Sequence, residues 1–263
     1  MAHFSLSSDA FSFIPLIPLV SVFFLIKDRK TIFGNTGYSL FPGIAVAASG
    51  VLLHGAFIIW GGLAPKEYGL TVDAVAFLIS LWGIFALFFG VDSFKKAIFP
   101  LLFLLFIIPL PSVIERLIVE MFRAGSAEMV AFYFKILGIP FFREGDTFQL
   151  EHLRFCVASQ CSGINSGLSL FIVSVIAAKL FLRNNWVRLG FVLSVIPIGW
   201  SKNGLRIATL TLLGSYVNSV FLEGPLHRQG GRPFFVVALL FLGLSLFLLR
   251  MLEKRIGRKN NGK

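Results

Sequence analysis

Charge is scarce in this chain of 263 residues, where only 14% of positions are Asp, Glu, Lys or Arg. Hydrophobic residues make up 56%, and phenylalanine alone fills 31 positions. Counting glycine and leaving out tyrosine raises the apolar share to about 64%, against roughly 45–50% in soluble domains. A soluble domain of this size would carry apolar surface that it could neither bury nor keep in water, so a soluble enzyme and a disordered chain are both excluded. Cysteine is nearly absent too: Cys156 and Cys161 are too few for a disulfide scaffold or a metal cluster. The chain has no H-E-x-x-H, which removes a common zinc-peptidase arrangement. It has no internal repeat and no low-complexity tract. Residues 1–10 lack the basic region that opens a signal peptide, so the first apolar segment is expected to be retained.

What remains is a chain suited to lipid. Open sheets cannot satisfy their edges in a bilayer, and barrel strands would alternate instead of forming long apolar runs. The expected fold is therefore an all-α polytopic membrane protein, a single membrane domain over residues 1–263. Apolar runs cover residues 11–26, 40–63, 72–90, 98–110, 164–182, 189–216 and 234–249, most of them close to the roughly 20 residues that a span needs. The net charge of +11 would fit nucleic acid if it were gathered on one surface, but it falls between the apolar runs, so no nucleic-acid partner is expected.

Orientation follows from the cations of the short loops. Lys27, Arg29, Lys30, Lys95, Lys96, Arg183, Arg188 and the tail Arg250, Lys254, Arg255, Arg258, Lys259 and Lys263 fall on one side, whereas the opposite short segments, residues 1–10 and 64–70, carry only Lys66. The positive-inside rule then makes the C-terminal tail cytoplasmic and places the N-terminus and residues 111–160 outside, in a plasma (inner) membrane crossed about seven times. Residues 189–216 are too many for one straight span and include Pro197 and Ser201-Lys202-Asn203. At 1.5 Å per residue, Arg206 reaches the outer boundary after about 25 Å of helix, and a kinked or re-entrant course is expected for residues 207–222.

Residues 112–160 form the expected extracytoplasmic cap. In residues 112–137, Ile114, Leu117, Ile118, Met121 and Phe122 interleave with Glu115, Arg116, Glu120 and Arg123, which predicts a helix lying at the interface. Residues 141–157 carry Gly145-Asp146 between alternating segments, which predicts a β-hairpin or strand pair.

Three polar clusters then share the outer boundary: residues 160–166 with Cys161, residues 203–207 with Arg206, and residues 227–235 with His227. A Cys, an Arg and a His on one face suit acyl transfer. A thiolate attacks a carbonyl, an imidazole handles the protons, and a guanidinium stabilises the thiolate or the oxyanion. Cys161 directly precedes a predicted helix, whose free N–H groups and dipole favour an anion.

At these residues the sequence resembles the exosortase/archaeosortase family of membrane cysteine transpeptidases. The resemblance rests on Cys161-Ser162-Gly163 opening a helix, on Asn203 through Arg206-Ile207, on His227, Gly231 and Phe235, and on the Pro109-Leu110-Pro111 turn, and covers roughly residues 95 to 250. It implies Cys161 as nucleophile, Arg206 as electrostatic stabiliser and His227 as general acid/base. Ser162, Gly163, Asn165, Asn203 and Gly231 would be supporting residues. It implies no cofactor and no metal. The implied partners, besides the lipid bilayer, are secreted proteins bearing a C-terminal sorting signal: a short motif, one transmembrane helix and a basic tail. Gln160 stands where the family often has alanine and Asn165 where it often has arginine, which leaves the subfamily and its recognition motif open.

Plainer roles stand beside these. A lone cysteine next to a helix is more often packing than chemistry, an arginine near the boundary can snorkel, and His227 taken alone is a loop histidine. Cys156 is expected to pack in a strand; a disulfide between it and Cys161 would silence the nucleophile. His54 is expected to be hydrogen-bonded between helices. The alternative function is a transporter or channel, to which His54 and Asp73 point, and a non-enzymatic scaffold on the same fold also stays open.

Overall fold

In lipid every backbone polar group has to be paired inside its own segment, and the apolar runs of this chain do so as helices. The computed structural model describes residues 15–34, 36–61, 68–151, 153–158, 163–218 and 231–260, without the side chains of residues 232 and 256–260. The chain forms two compact units, Met1–Glu115 and Arg116–Lys263.

The first unit contains α1 (Leu16–Lys27), the single turn α2 (Arg29–Ile32), α3 (Leu40–Trp60), α4 (Gly69–Lys96) and α5 (Ile98–Phe103), which tightens into a 3-10 turn at Leu104–Ile107. α3 fully buries only Gly43 and Gly50. Those glycines lie against Leu87 and against Ala76 and Ser80 of α4, the close small-residue contact that substitutes for hydrophobic driving force between helices in a bilayer. His54 of α3 meets Asp73 of α4 at 3.0 Å, the interhelical hydrogen bond expected of that histidine.

The second unit holds most of α6 (Ser112–Ile136), the strands β1 (Phe142–Glu144), β2 (Thr147–Gln149) and β3 (Arg154–Cys156), and the helices α7 (Ile164–Phe181), α8 (Asn185–Leu193), α9 (Val195–Tyr216) and α10 (Gly231–Asn260). The strands form one antiparallel sheet in the order β1-β2-β3, so the expected hairpin gains a third strand. Its first turn is Gly145-Asp146. Only Gly145 has positive φ there, which matches the handedness of a tight hairpin.

α6 has two faces of different fate. Ile114, Leu117 and Met121 are exposed, whereas Phe122, Gly125, Ser126, Ala127, Val130, Ala131 and Phe134 are buried at helical spacing. The buried stretch forms one core with Phe148, Leu150 and Val157 of the sheet region and Ala208 of α9. Phe148 and Phe155 stack at 5.3 Å, and Phe134 meets both edge-on. Arg123 pairs with Glu120 and Asp146, and Arg143 with Glu128 at 2.8 Å, so ion pairs also clamp the hairpin to α6. The hydrogen bond that Arg143 donates to the Glu128 carboxylate strengthens the charged form of Arg143. All three pairs are partly solvated, and each is worth at most about 1 kcal/mol.

The helices of this unit approach each other through glycine. Phe122 of α6 enters the notch between Gly167 of α7 and Gly199 of α9, the ring of Trp200 covers Gly125, and a Cβ on Gly204 would stand 2.4 Å from the Cβ of Met129. Gly204→Ala therefore has to push α6 and α9 apart. We expect it to cost about 1–3 kcal/mol and to lower the thermal unfolding midpoint in detergent, while Gly190→Ala on α8, which meets nothing within 4 Å, holds or raises it.

One expectation about residues 189–222 changes. The interruption falls at Ser194, between α8 and α9, although Ser194 keeps helical φ and ψ and the backbone bonds from Ser194 to Gly190 and from Ile198 to Ser194 run on either side of it; the N–H that Pro197 lacks is the one that would have met the Leu193 carbonyl. Residues 207–216 do not bend away, because α9 continues through Arg206 to Tyr216. Its later turns find apolar surroundings in the cap core, where Ala208 is buried and Ile207 and Leu212 pack, so the helix has no reason to turn along a membrane surface. Residues 219–222 lie outside the described residues.

Among the described residues four helices are long and apolar enough to cross a membrane: Leu40–Trp60, Gly69–Lys96, Ile164–Phe181 and Pro233–Arg255. Counting Ile98–Ile107 with Ser112–Ile136 as one broken span makes five, and Leu16–Lys27 is a shorter apolar helix.

Candidate active site

The cysteine-bearing segment is held at both flanks. Upstream, Val157 is buried in the cap core and its N–H donates to the Asp146 carbonyl at 2.9 Å. Downstream, Gly163 caps α7 with a φ of +71°, a left-handed conformation that costs other residues about 1–2 kcal/mol. Gly163 also lies against α9: a Cβ there would stand 2.9 Å from Asn203 Oδ1 and 3.4 Å from Lys202 Nζ. The end of the C-S-G signature thus meets the start of the N-x-x-R signature.

Asn203 is fully buried, and its Nδ2 donates to Ser126 Oγ of α6 at 2.9 Å. Lys202, 6% exposed, donates from Nζ to Ser166 Oγ, and the Ser166 hydroxyl donates to the Gly163 carbonyl at 2.9 Å. Tyr133 of α6 adds a hydroxyl contact of 2.6 Å to Ser201 Oγ. Side chains from α6, α7 and α9 therefore converge on the start of α7. Arg206 lies one helical turn beyond Lys202, close enough for the two charges to interact. Asn165 is exposed on the first turn of α7, where its carbonyl accepts from Ser169 Oγ.

The opposite end of this unit is basic. Glu253 of α10 accepts from the backbone N–H groups of Arg183 and Asn184, and Arg250 lies over the ring of Phe181. The C-terminal ends of α7 and α10 are thereby joined, with Ala178, Leu182, Ala238 and Leu242 packed between the helices. Gly163 and Gly231, which open these two helices, lie toward the other end. Gly231 itself meets nothing that would exclude a Cβ.

Cys161, Ser162 and His227 lie outside the described residues, as does Gln160. Of the sequence-derived site residues, the structure brings together Gly163 and Asn203, with Arg206 one turn from Lys202 and Asn165 on the neighbouring first turn. Cys156 occupies β3 as expected but does not pack in it: it is a free, exposed cysteine, and Phe155 supplies the stacking. Sequence reasoning missed the parts played by Lys202, Ser166 and Ser126. A lysine within an apolar helix was the available signal for the first; hydroxyls in helices carry no comparable mark.

A polytopic helical membrane protein with a polar site at the start of one of its spans is the class that fold and site define. The chain belongs to the transmembrane exosortase family, a family of membrane-embedded sorting peptidases, whose model matches residues 5–244. The match takes in the first apolar segments as well as the motif-bearing part. No curated protein and no solved structure matches the chain.

Proposed function

We propose that this protein is a cysteine transpeptidase that cleaves C-terminal sorting signals of secreted proteins at the outer face of the plasma membrane. The observation that supports this is the contact of Gly163, two residues after Cys161 in the sequence, with Lys202 and Asn203 of the helix that carries Arg206. In the proposed topology the tail and the Arg183–Asn184 corner are cytoplasmic, residues 112–160 form the outer cap, and the membrane is crossed about seven times. The joined basic ends of α7 and α10 support that orientation.

The chemistry divides into two transfers. The Cys161 thiolate attacks the scissile carbonyl carbon, and the resulting oxyanion is stabilised by Arg206 and by the N–H groups at the start of α7. The C–N bond breaks, protonated His227 gives its proton to the departing amine, and a thioester remains on Cys161. An acceptor amine or water then attacks the thioester and loses its proton to His227. The thiolate leaves and the cycle closes. A substrate arrested by its own transmembrane helix would present its motif at the boundary where this site opens.

Co-expression with a secreted reporter carrying a motif, one transmembrane helix and a basic tail tests the assignment. Arg206→Ala and His227→Ala are each expected to reduce shortening of the reporter by roughly a hundredfold or more at unchanged membrane levels of the protein. Normal shortening in both would remove them from the mechanism. The His54–Asp73 pair, with side chains about half exposed, is the feature that a transporter would use. If no sorting signal is shortened even by wild type, while loss of that pair changes the movement of a solute, the transporter assignment replaces this one.

A further inference from the structure

Lys202 is a buried cation to which the proposed reaction assigns no work. Its Nζ is held by Ser166 Oγ, and among the described residues no carboxylate forms an ion pair with it. Burying an ammonium without a counter-charge is expensive, and a like charge on Arg206 raises the cost. Among the described residues the surrounding elements supply no counter-charge. α6 presents Ser126 and Met129 here, while its charged Arg123 is held by Glu120 and Asp146, and Glu128 by Arg143. The first turn of α7 presents Asn165 and Ser166 and no charge, and α9 contributes Arg206. Lys202 therefore brings its charge to the point where α7 begins, with Arg206 one turn further along α9.

The hydrogen bonds give Lys202 a second action. It holds Ser166, which holds the Gly163 carbonyl, so the first turn of α7 is tied to α9 at the residue where the cysteine-bearing segment ends. Cys161 is two residues upstream.

We propose that Lys202 is a positioning residue of the transpeptidase reaction, which fixes the start of α7 through Ser166 and Gly163 and biases the neighbouring cysteine toward its thiolate. This rests on Cys161 as the nucleophile. The test reads the thiol itself and needs no substrate. In full-length protein carrying Cys156→Ala, purified in detergent, Cys161 is the sole thiol, and its alkylation by iodoacetamide is followed by intact mass as a function of pH.

The expected midpoint in this background lies below the ordinary thiol value of about 8.5. Lys202→Met raises it by about one pH unit or more and slows alkylation at pH 7 about tenfold, whereas Lys202→Arg keeps it low. Ser166→Ala, which leaves both cations in the chain, moves the midpoint in the same direction by a smaller amount. An unchanged midpoint in Lys202→Met that elutes as wild type overturns the proposal. If Lys202→Met does not fold, Ser166→Ala decides, and an unchanged midpoint there overturns it equally. Failure of the parent assignment would show differently, as normal reporter shortening by Cys161→Ala.

Discussion

Cys161→Ala leaves the sorting reporter at full length, a loss of roughly three orders of magnitude or more in processing, while Cys156→Ala shortens it as wild type does. The contrast follows from where the two cysteines stand. Cys161 lies between two anchored points, Val157 in the cap core and Gly163 against α9, and directly precedes the N-terminal turn of α7. Cys156 is exposed on β3, away from the aromatic stack that holds the sheet, and its loss should change stability by no more than about 0.5 kcal/mol. Immunoblots of reporter length against membrane levels of each variant make the comparison. If Cys156→Ala instead shortened the reporter faster than wild type, a disulfide between the two cysteines would be holding part of the protein inactive.

Gly163→Ala is expected to cut processing by roughly tenfold or more, even though it adds a single methyl group. Two costs combine there: the left-handed backbone, about 1–2 kcal/mol, and a methyl group 2.9 Å from Asn203 Oδ1 on a residue that is fully buried and bonded to Ser126. Asn203 cannot yield without loosening α6, so the start of α7 has to move. Gly138→Ala separates the two costs. Gly138 has nearly the same φ, +68°, at the end of α6, but nothing lies within 4 Å of a Cβ there. It is therefore expected to lower the thermal midpoint in detergent and to leave processing near the wild-type level. Equal losses of processing in both variants would mean that the contact with Asn203 has no part in the site.

Much of this arrangement was legible in the sequence because period and punctuation are local. The apolar spacing of residues 112–137 and the Gly145-Asp146 turn predict α6 and the hairpin, and both stand within a residue or two of where they were expected. Two of the basic segments grouped by counting loop charges are joined physically by Glu253. The parts that did not read correctly depend on tertiary surroundings. The course of residues 207–216 depends on the cap core that Ala208 joins, which no local pattern announces. Alternation in residues 154–157 gave the strand but not which face the sheet would bury, so Cys156 was expected to pack and is exposed. The site divides in the same way: short motifs name Gly163, Asn203 and Arg206, whereas the Lys202–Ser166–Gly163 chain exists only once α7 and α9 are side by side.

The most direct measurement is to trap the covalent intermediate. Purified protein is mixed with a peptide carrying the motif and helix of a sorting signal that it shortens in cells, quenched in acid, digested and examined by mass spectrometry, with a parallel sample treated with neutral hydroxylamine. The expected product is the N-terminal fragment of the peptide joined through a thioester to Cys161, released by hydroxylamine as the hydroxamate of the new C-terminus. Cleavage of the peptide by Cys161→Ala at the wild-type rate, with no adduct in the wild-type sample, would contradict it.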